Sequence, residues 1–129
     1  MEYYFSAILH TSFQNAELKI IEALKSEGFG VISEIDMQSK LKEKLGVDFK
    51  KYKILGACNP AFAYKALQVE DKIGTMLPCN IVVTEKEHGI IEVAAINPIA
   101  SMMAIQNPAL EPLANEITEK LIRIIQLLN

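Results

Sequence analysis

The chain has 129 residues, 50% of them hydrophobic and 22% charged, with 13 basic side chains against 16 acidic ones and a formal net charge of −3. That length fits one domain with a core of its own, and the acidic balance gives no general attraction to nucleic acid or to an anionic membrane. Two cysteines in so long a chain make no disulfide framework, and no apolar run approaches the ~20 residues of a membrane span.

Met1 leads into Glu2-Tyr3-Tyr4 without the positive segment of an export signal, so a reducing cytoplasm is the expected setting. Tyr3 to Leu9 is aromatic and aliphatic and reads as a strand, bounded by His10-Thr11-Ser12. Thr11 or Ser12 then caps a helix in which Phe13, Ala16, Ile20 and Leu24 repeat at helical spacing. Gly28 ends it as a left-handed cap. In the next strand Phe29, Val31, Ser33, Ile35 and Met37 fall on one side and Ile32, Glu34 and Asp36 on the other. A short helix over Gln38 to Leu45 is marked by Leu41 and Leu45 and stopped by Gly46.

Tyr52 to Ala57 reads as a third strand, and Asn59-Pro60 as a helix start carried on by Phe62, Ala63, Ala66 and Leu67. Ile81 to Val83 and Ile90 to Ile96 are β-branched runs joined by Glu85 to Gly89, a hairpin. Asn97-Pro98 and Asn107-Pro108 repeat the helix-start signal. The last helix aligns Leu113, Ile117, Leu121, Ile124 and Leu128 on one stripe, with Glu116, Glu119 and Lys120 opposite. No linker or fixed-period repeat divides the chain, so residues 1–129 form a single domain. The late hairpin excludes an all-parallel sheet and points to an α+β fold: an antiparallel sheet with its long helices on one face.

The candidate chemistry lies in two loops, Leu55 to Pro60 and Leu77 to Asn80, each with a Cys-Asn pair at a strand border. Cys58 stands before a helix N-terminus, whose dipole and free amides lower a thiol pKa. Cys79 begins the next strand. If those strands are antiparallel neighbours, both thiols reach the same edge of the sheet. A redox pair would use Cys58 as thiolate and Cys79 to resolve. A metal site lacks two further ligands, since His10 and His88 are the only imidazoles, and neither histidine is placed for a Cys/His nucleophile. Alternatively both cysteines are small buried hydrophobes.

Asn59 and Asn80 can contact a ligand, although Asn59 before proline is first a helix cap. Glu34 and Asp36 share a strand face and suit acid/base work or a cation, or simply the wet side of a strand, with Asp36 capping the helix after it. Lys40, Lys42, Lys44, Lys50, Lys51 and Lys53 crowd one window without an arginine or a glycine-rich loop, which suits a solvated face better than a phosphate site. Met76, Met102 and Met103 can line an adaptable pocket or fill core, and the apolar Ile99 to Ile105 stretch can cover a cavity or a second subunit. No catalytic residue and no cofactor is read from the chain.

Gly28 to Val31, Glu34 to Asp36, Leu41 to Asp48, the two Cys-Asn loops and Asn107-Pro108 together resemble the domain of unknown function 302 family, over about residues 5 to 128. The resemblance implies a fold similar to the TATA-box-binding protein, β-α-β(4)-α with short inserted helices, and a homodimer. It implies no reaction, and DNA binding does not follow from fold. The expectation is a homodimeric domain that binds or senses a small ligand at the edge carrying Cys58, Asn59, Cys79 and Asn80. The alternatives are a thiol-dependent redox protein or enzyme and a dimerisation module without ligand.

Overall fold

In the computed structural model, which describes residues 2–129, the chain opens with strand β1 (Tyr4–His10) and helix α1 (Phe13–Ser26). Ser12 caps α1 by accepting a hydrogen bond from the Asn15 amide at 3.1 Å. Gly28 follows the helix at φ +84°, where a side chain would be strained. Strand β2 (Gly30–Asp36), helix α2 (Met37–Leu45), strand β3 (Tyr52–Cys58) and helix α3 (Pro60–Val69) come next. A 3-10 turn (Asp71–Met76) leads to the hairpin of β4 (Cys79–Glu87) and β5 (Ile90–Ile96). The chain ends through the short helix α4 (Pro98–Ser101), a second 3-10 turn (Pro108–Leu110) and helix α5 (Glu111–Gln126).

All five strands form one antiparallel sheet in the order β1-β5-β4-β3-β2. The expected α+β architecture is therefore present, with the hairpin at the sheet centre. Its strands run further than expected, leaving His88-Gly89 as the turn and a bulge between Glu85 and Glu87. Helices α1 and α5 pack on each other and on β1, β4 and β5. Leu55, Ile81, Val83, Ile91 and Val93 from the sheet meet Ile20, Leu24, Ile117, Leu121 and Ile124 from the helices, all fully buried. Burial of ten such side chains is the main source of stability, each contributing roughly 1.5–3 kcal/mol before chain entropy is counted.

Two expectations need correction. The register of β2 on β3 shifts between Val31 and Ser33, because an extra residue bulges out of the edge strand. Ser33 and Ile35 consequently leave the face that Val31 occupies, and Glu34 and Asp36 come opposite Leu55 and Lys53. In α2 the Leu41 and Leu45 pair forms no buried stripe: Leu41 is half-buried, Leu45 is 69% exposed, and no residue of the helix is fully buried. Its boundaries come from its ends instead. Gly46 closes it in the left-handed region at φ +67°, and the Asp36 carboxylate accepts from the Ser39 amide at 3.0 Å.

That amide hydrogen bond holds the Asp36 carboxyl below the usual range. Asp36→Ala is expected to cost about 1 kcal/mol. The contribution is present above the ordinary aspartate pKa and disappears as pH falls through the lowered value, so the two proteins converge in acid. Urea unfolding at pH 7 and pH 3 measures both parts, and an equal difference at the two pH values would refute the cap.

Each Asn-Pro pair opens a helical turn and also ties it to another part of the chain. The side-chain oxygens of Asn59, Asn97 and Asn107 accept from the amides of Phe62, Ile99 and Ala109 at 3.2, 3.1 and 3.0 Å. Their Nδ2 groups donate to the carbonyls of Glu27, Glu2 and Val69 at 3.4, 3.0 and 2.8 Å. Glu27 is further held by Arg123 through two hydrogen bonds of 3.0 Å, which join the end of α1 to α5. The arginine's donated hydrogen bonds keep the Glu27 carboxyl below its usual pKa.

Candidate functional site

The β3/β4 register places Ala57 opposite Cys79, so the end of one strand lies beside the start of its antiparallel neighbour. Cys58 and Cys79 line one cavity of about 280 Å³, together with Asn59 and Pro78. Its remaining wall is apolar and comes from Ile32, Ala57, Phe62, Ala63, Leu67 and Leu77, with Gly74 at its rim. Each part has a local cause. Asn59-Pro60 turns the chain from β3 into α3 and presents Phe62 and Ala63. The 3-10 turn brings Gly74 and Leu77 back against α3, and Pro78 leads into β4.

The two cysteines are free, with no disulfide between them. Cys58 is partly exposed and Cys79 buried. Burial, reinforced by the charge of Cys58, pushes the Cys79 thiol up to about 11. At neutral pH that sulfur is therefore protonated and a poor resolving nucleophile. What the cavity offers a ligand is apolar surface, two soft sulfur atoms and no carboxylate or ammonium group.

The other sequence candidates are dispersed. Asn59 lines the cavity but its amide is already committed, oxygen to Phe62 and nitrogen to Glu27. Asn80 lies one residue beyond Cys79 and therefore points to the opposite face of the sheet, where it lines a different cavity. The Glu34 carboxylate takes the Lys53 ammonium at 2.8 Å, an ion pair that Glu17 of α1 completes at 3.0 Å. Asp36 is the cap of α2. Neither acid reaches the cysteines' cavity. Among the described residues no cluster of three histidine, cysteine or acidic side chains could hold a metal.

Ile32, Leu67 and Gly74 are cavity residues that the sequence did not single out for the site. Ile32 reaches it from the bulged edge strand, and its 65% exposure is the one outward sign of that position. Elsewhere, the Ile99 to Ile105 stretch borders a groove of about 420 Å³ against Leu110 and Ala114, with Met102 buried and Met103 68% exposed. No helix among the described residues is long and apolar enough to cross a membrane.

The sequence profile of a family described as domain of unknown function DUF302 matches residues 5–128. The fold is similar to the crystal structure of an uncharacterized conserved DUF302 protein from Bacillus stearothermophilus, at 29% identity, with 100% of each chain covered and a TM-score of 0.91. Among curated proteins none matches.

Proposed function

The chain belongs to the DUF302 family, and we propose that it acts in a reducing cytoplasm as a homodimeric domain that binds or senses a small apolar ligand between Cys58 and Cys79. One observation carries this reading: the two cysteine loops enclose a single cavity, apolar and of roughly the smallest size that accepts a small molecule. The protonated Cys79 supports binding over thiol exchange. The exposed Met103 and the Ile99 to Ile105 groove are the surface assigned to the second subunit.

Toluene is a suitable probe, added to the ¹⁵N-labelled protein while amide shifts are followed. Saturable shifts at Cys58, Phe62, Ala63 and Cys79 are expected, and Ala63→Phe, which fills the cavity, should abolish them. Shifts confined to other regions, or none at saturation of the solvent, would reject the site. Iodoacetamide at pH 7.5 should label Cys58 and leave Cys79 unmodified in the folded protein. Equal labelling of the two would remove the basis for preferring binding to redox chemistry. Sedimentation at micromolar concentration tests the dimer, and a monomer there rejects it.

A further inference from the structure

We propose that the sheet face opposite the helices carries a second binding site, for a small planar aromatic carboxylate. The strand registers arrange this face in rows. Tyr52, Thr84, Glu92 and Ile8 lie side by side across β3, β4, β5 and β1. The next row is Ile54, Val82, Ala94 and Ser6, and the one after it is Gly56, Asn80, Ile96 and Tyr4. Val82 and Ala94 of the middle row, between Tyr52 and Tyr4 of the outer two, floor a trough of about 360 Å³.

Four features of the trough point to a ligand and to its class. The Thr84 side chain is 94% buried by its 6% exposure, lines the trough, and its Oγ1 has no hydrogen-bond partner among the described residues. Such a hydroxyl is unfavourable as it stands, and since its oxygen is closed to solvent, a polar ligand atom satisfies it once the side chain turns about its one bond toward the trough. Lys50 also lines the trough, and no carboxylate pairs with it among the described residues, whereas Glu92 at the same end is answered by Lys86 at 3.7 Å. Among those residues Lys50 is met only by the Phe49 ring, 5.9 Å from its ammonium, so the charge left without a counter-ion is positive and selects an anion. Tyr3, Tyr4 and Tyr52 border a floor of Val82 and Ala94, which suits a flat ring lying on the sheet. Two rows, four residues at ~3.4 Å each, separate Tyr52 from Tyr4, about 14 Å along the strands, a span that one ring with a polar group at each end bridges with a hydrogen bond at either end. The carboxylate sits at Lys50, the ring over Val82 and Ala94, and a second polar group faces Asn80.

4-Hydroxybenzoate is the probe, titrated into the full-length ¹⁵N-labelled protein with 4-hydroxybenzamide as its neutral counterpart. The expected result is a saturable set of shifts at Tyr52, Asn80, Thr84 and Ala94, with the amide at least about fivefold weaker and Lys50→Met weakening the acid by about tenfold. Lys50 is exposed, so this variant folds. Ala94→Phe, which occupies the floor, should remove the shifts altogether. Equal binding of acid and amide, an unchanged affinity in Lys50→Met, shifts at Cys58 and Phe62 instead, or no saturation by about 10 mM would each overturn the proposal. The toluene experiment at the cysteine cavity stands or falls separately, because the two sites share no lining residue.

Discussion

Gly56→Ala is expected to lower the unfolding free energy by about 2–3 kcal/mol, the upper range for forcing atoms into a packed site. Gly56 is buried on β3, opposite Asn80 of β4 and Ser33 of β2. A Cβ there would lie 2.7 Å from Cγ of Pro78 and would also collide with the Ser33 hydroxyl. Serine relieves its half by rotating about one bond. The proline ring has no such freedom, and it is also a wall of the cysteine cavity. Strain at Gly56 should therefore appear at a distance from the substitution, as amide shifts from Leu77 to Cys79. Urea unfolding measures the energy. Adding Ser33→Ala should recover only the smaller part of the loss, which a double-mutant cycle separates. A Gly56→Ala protein within about 0.5 kcal/mol of the parent would show that β2 and the Pro78 segment are not packed as described.

Lys53→Met should produce the second large effect, about 2 kcal/mol at pH 7, less than for a fully buried pair because the Glu34 side chain is 49% exposed. Lys53 donates to both oxygens of Glu17 at 3.1 and 3.0 Å, and reaches Glu34 at 2.8 Å, so one ammonium joins α1, β2 and β3. Removing it leaves the 16%-exposed Glu17 side chain beside a second carboxylate with no cation between them. The native protein has a complementary signature. The hydrogen bond to Glu34, then that to Glu17, raises the Lys53 pKa against the opposing effect of burial. A cationic group so raised contributes its stability in full below the ordinary lysine pKa and loses it as pH rises through the raised value. Stability should thus fall above about pH 10.4 in the parent and much less steeply in Lys53→Met. Parallel alkaline limbs would assign that loss to other groups.

Helix starts were readable because both halves of the signal are adjacent: Asn59-Pro60, Asn97-Pro98 and Asn107-Pro108 each cap the turn that follows. The pairing of β4 with β5 was readable too, since a hairpin leaves little choice of neighbour. The bulge at Val31 to Ser33 was not, because one inserted residue changes no composition while exchanging the faces of everything after it. Helix α2 misled for the opposite reason: Leu41 and Leu45 have the right spacing, yet no element lies over Leu45.

At the candidate site, the end of β3 beside the start of β4 follows from an antiparallel pair, but grouping Asn80 with the cysteines disregarded the alternation of a strand. The trough on the open face has no linear signature at all. Tyr52 lies 32 residues before Thr84, Glu92 comes from the other arm of the hairpin, and only the register of three strands aligns them.

The paired use of Asn59, Asn97 and Asn107 has a chemical consequence for the age of the molecule. Asparagine loses its amide mainly when the backbone nitrogen of the following residue attacks the side-chain carbonyl to form a five-membered imide. Proline carries no hydrogen on that nitrogen, so the reaction is closed to all three. An aspartate at these positions could still accept from its helix but could not donate to Glu27, Glu2 or Val69. The residues whose amides tie the chain together are thus those whose amides spontaneous hydrolysis spares, while Asn15, Asn80 and Asn115, followed by Ala16, Ile81 and Glu116, have no such protection.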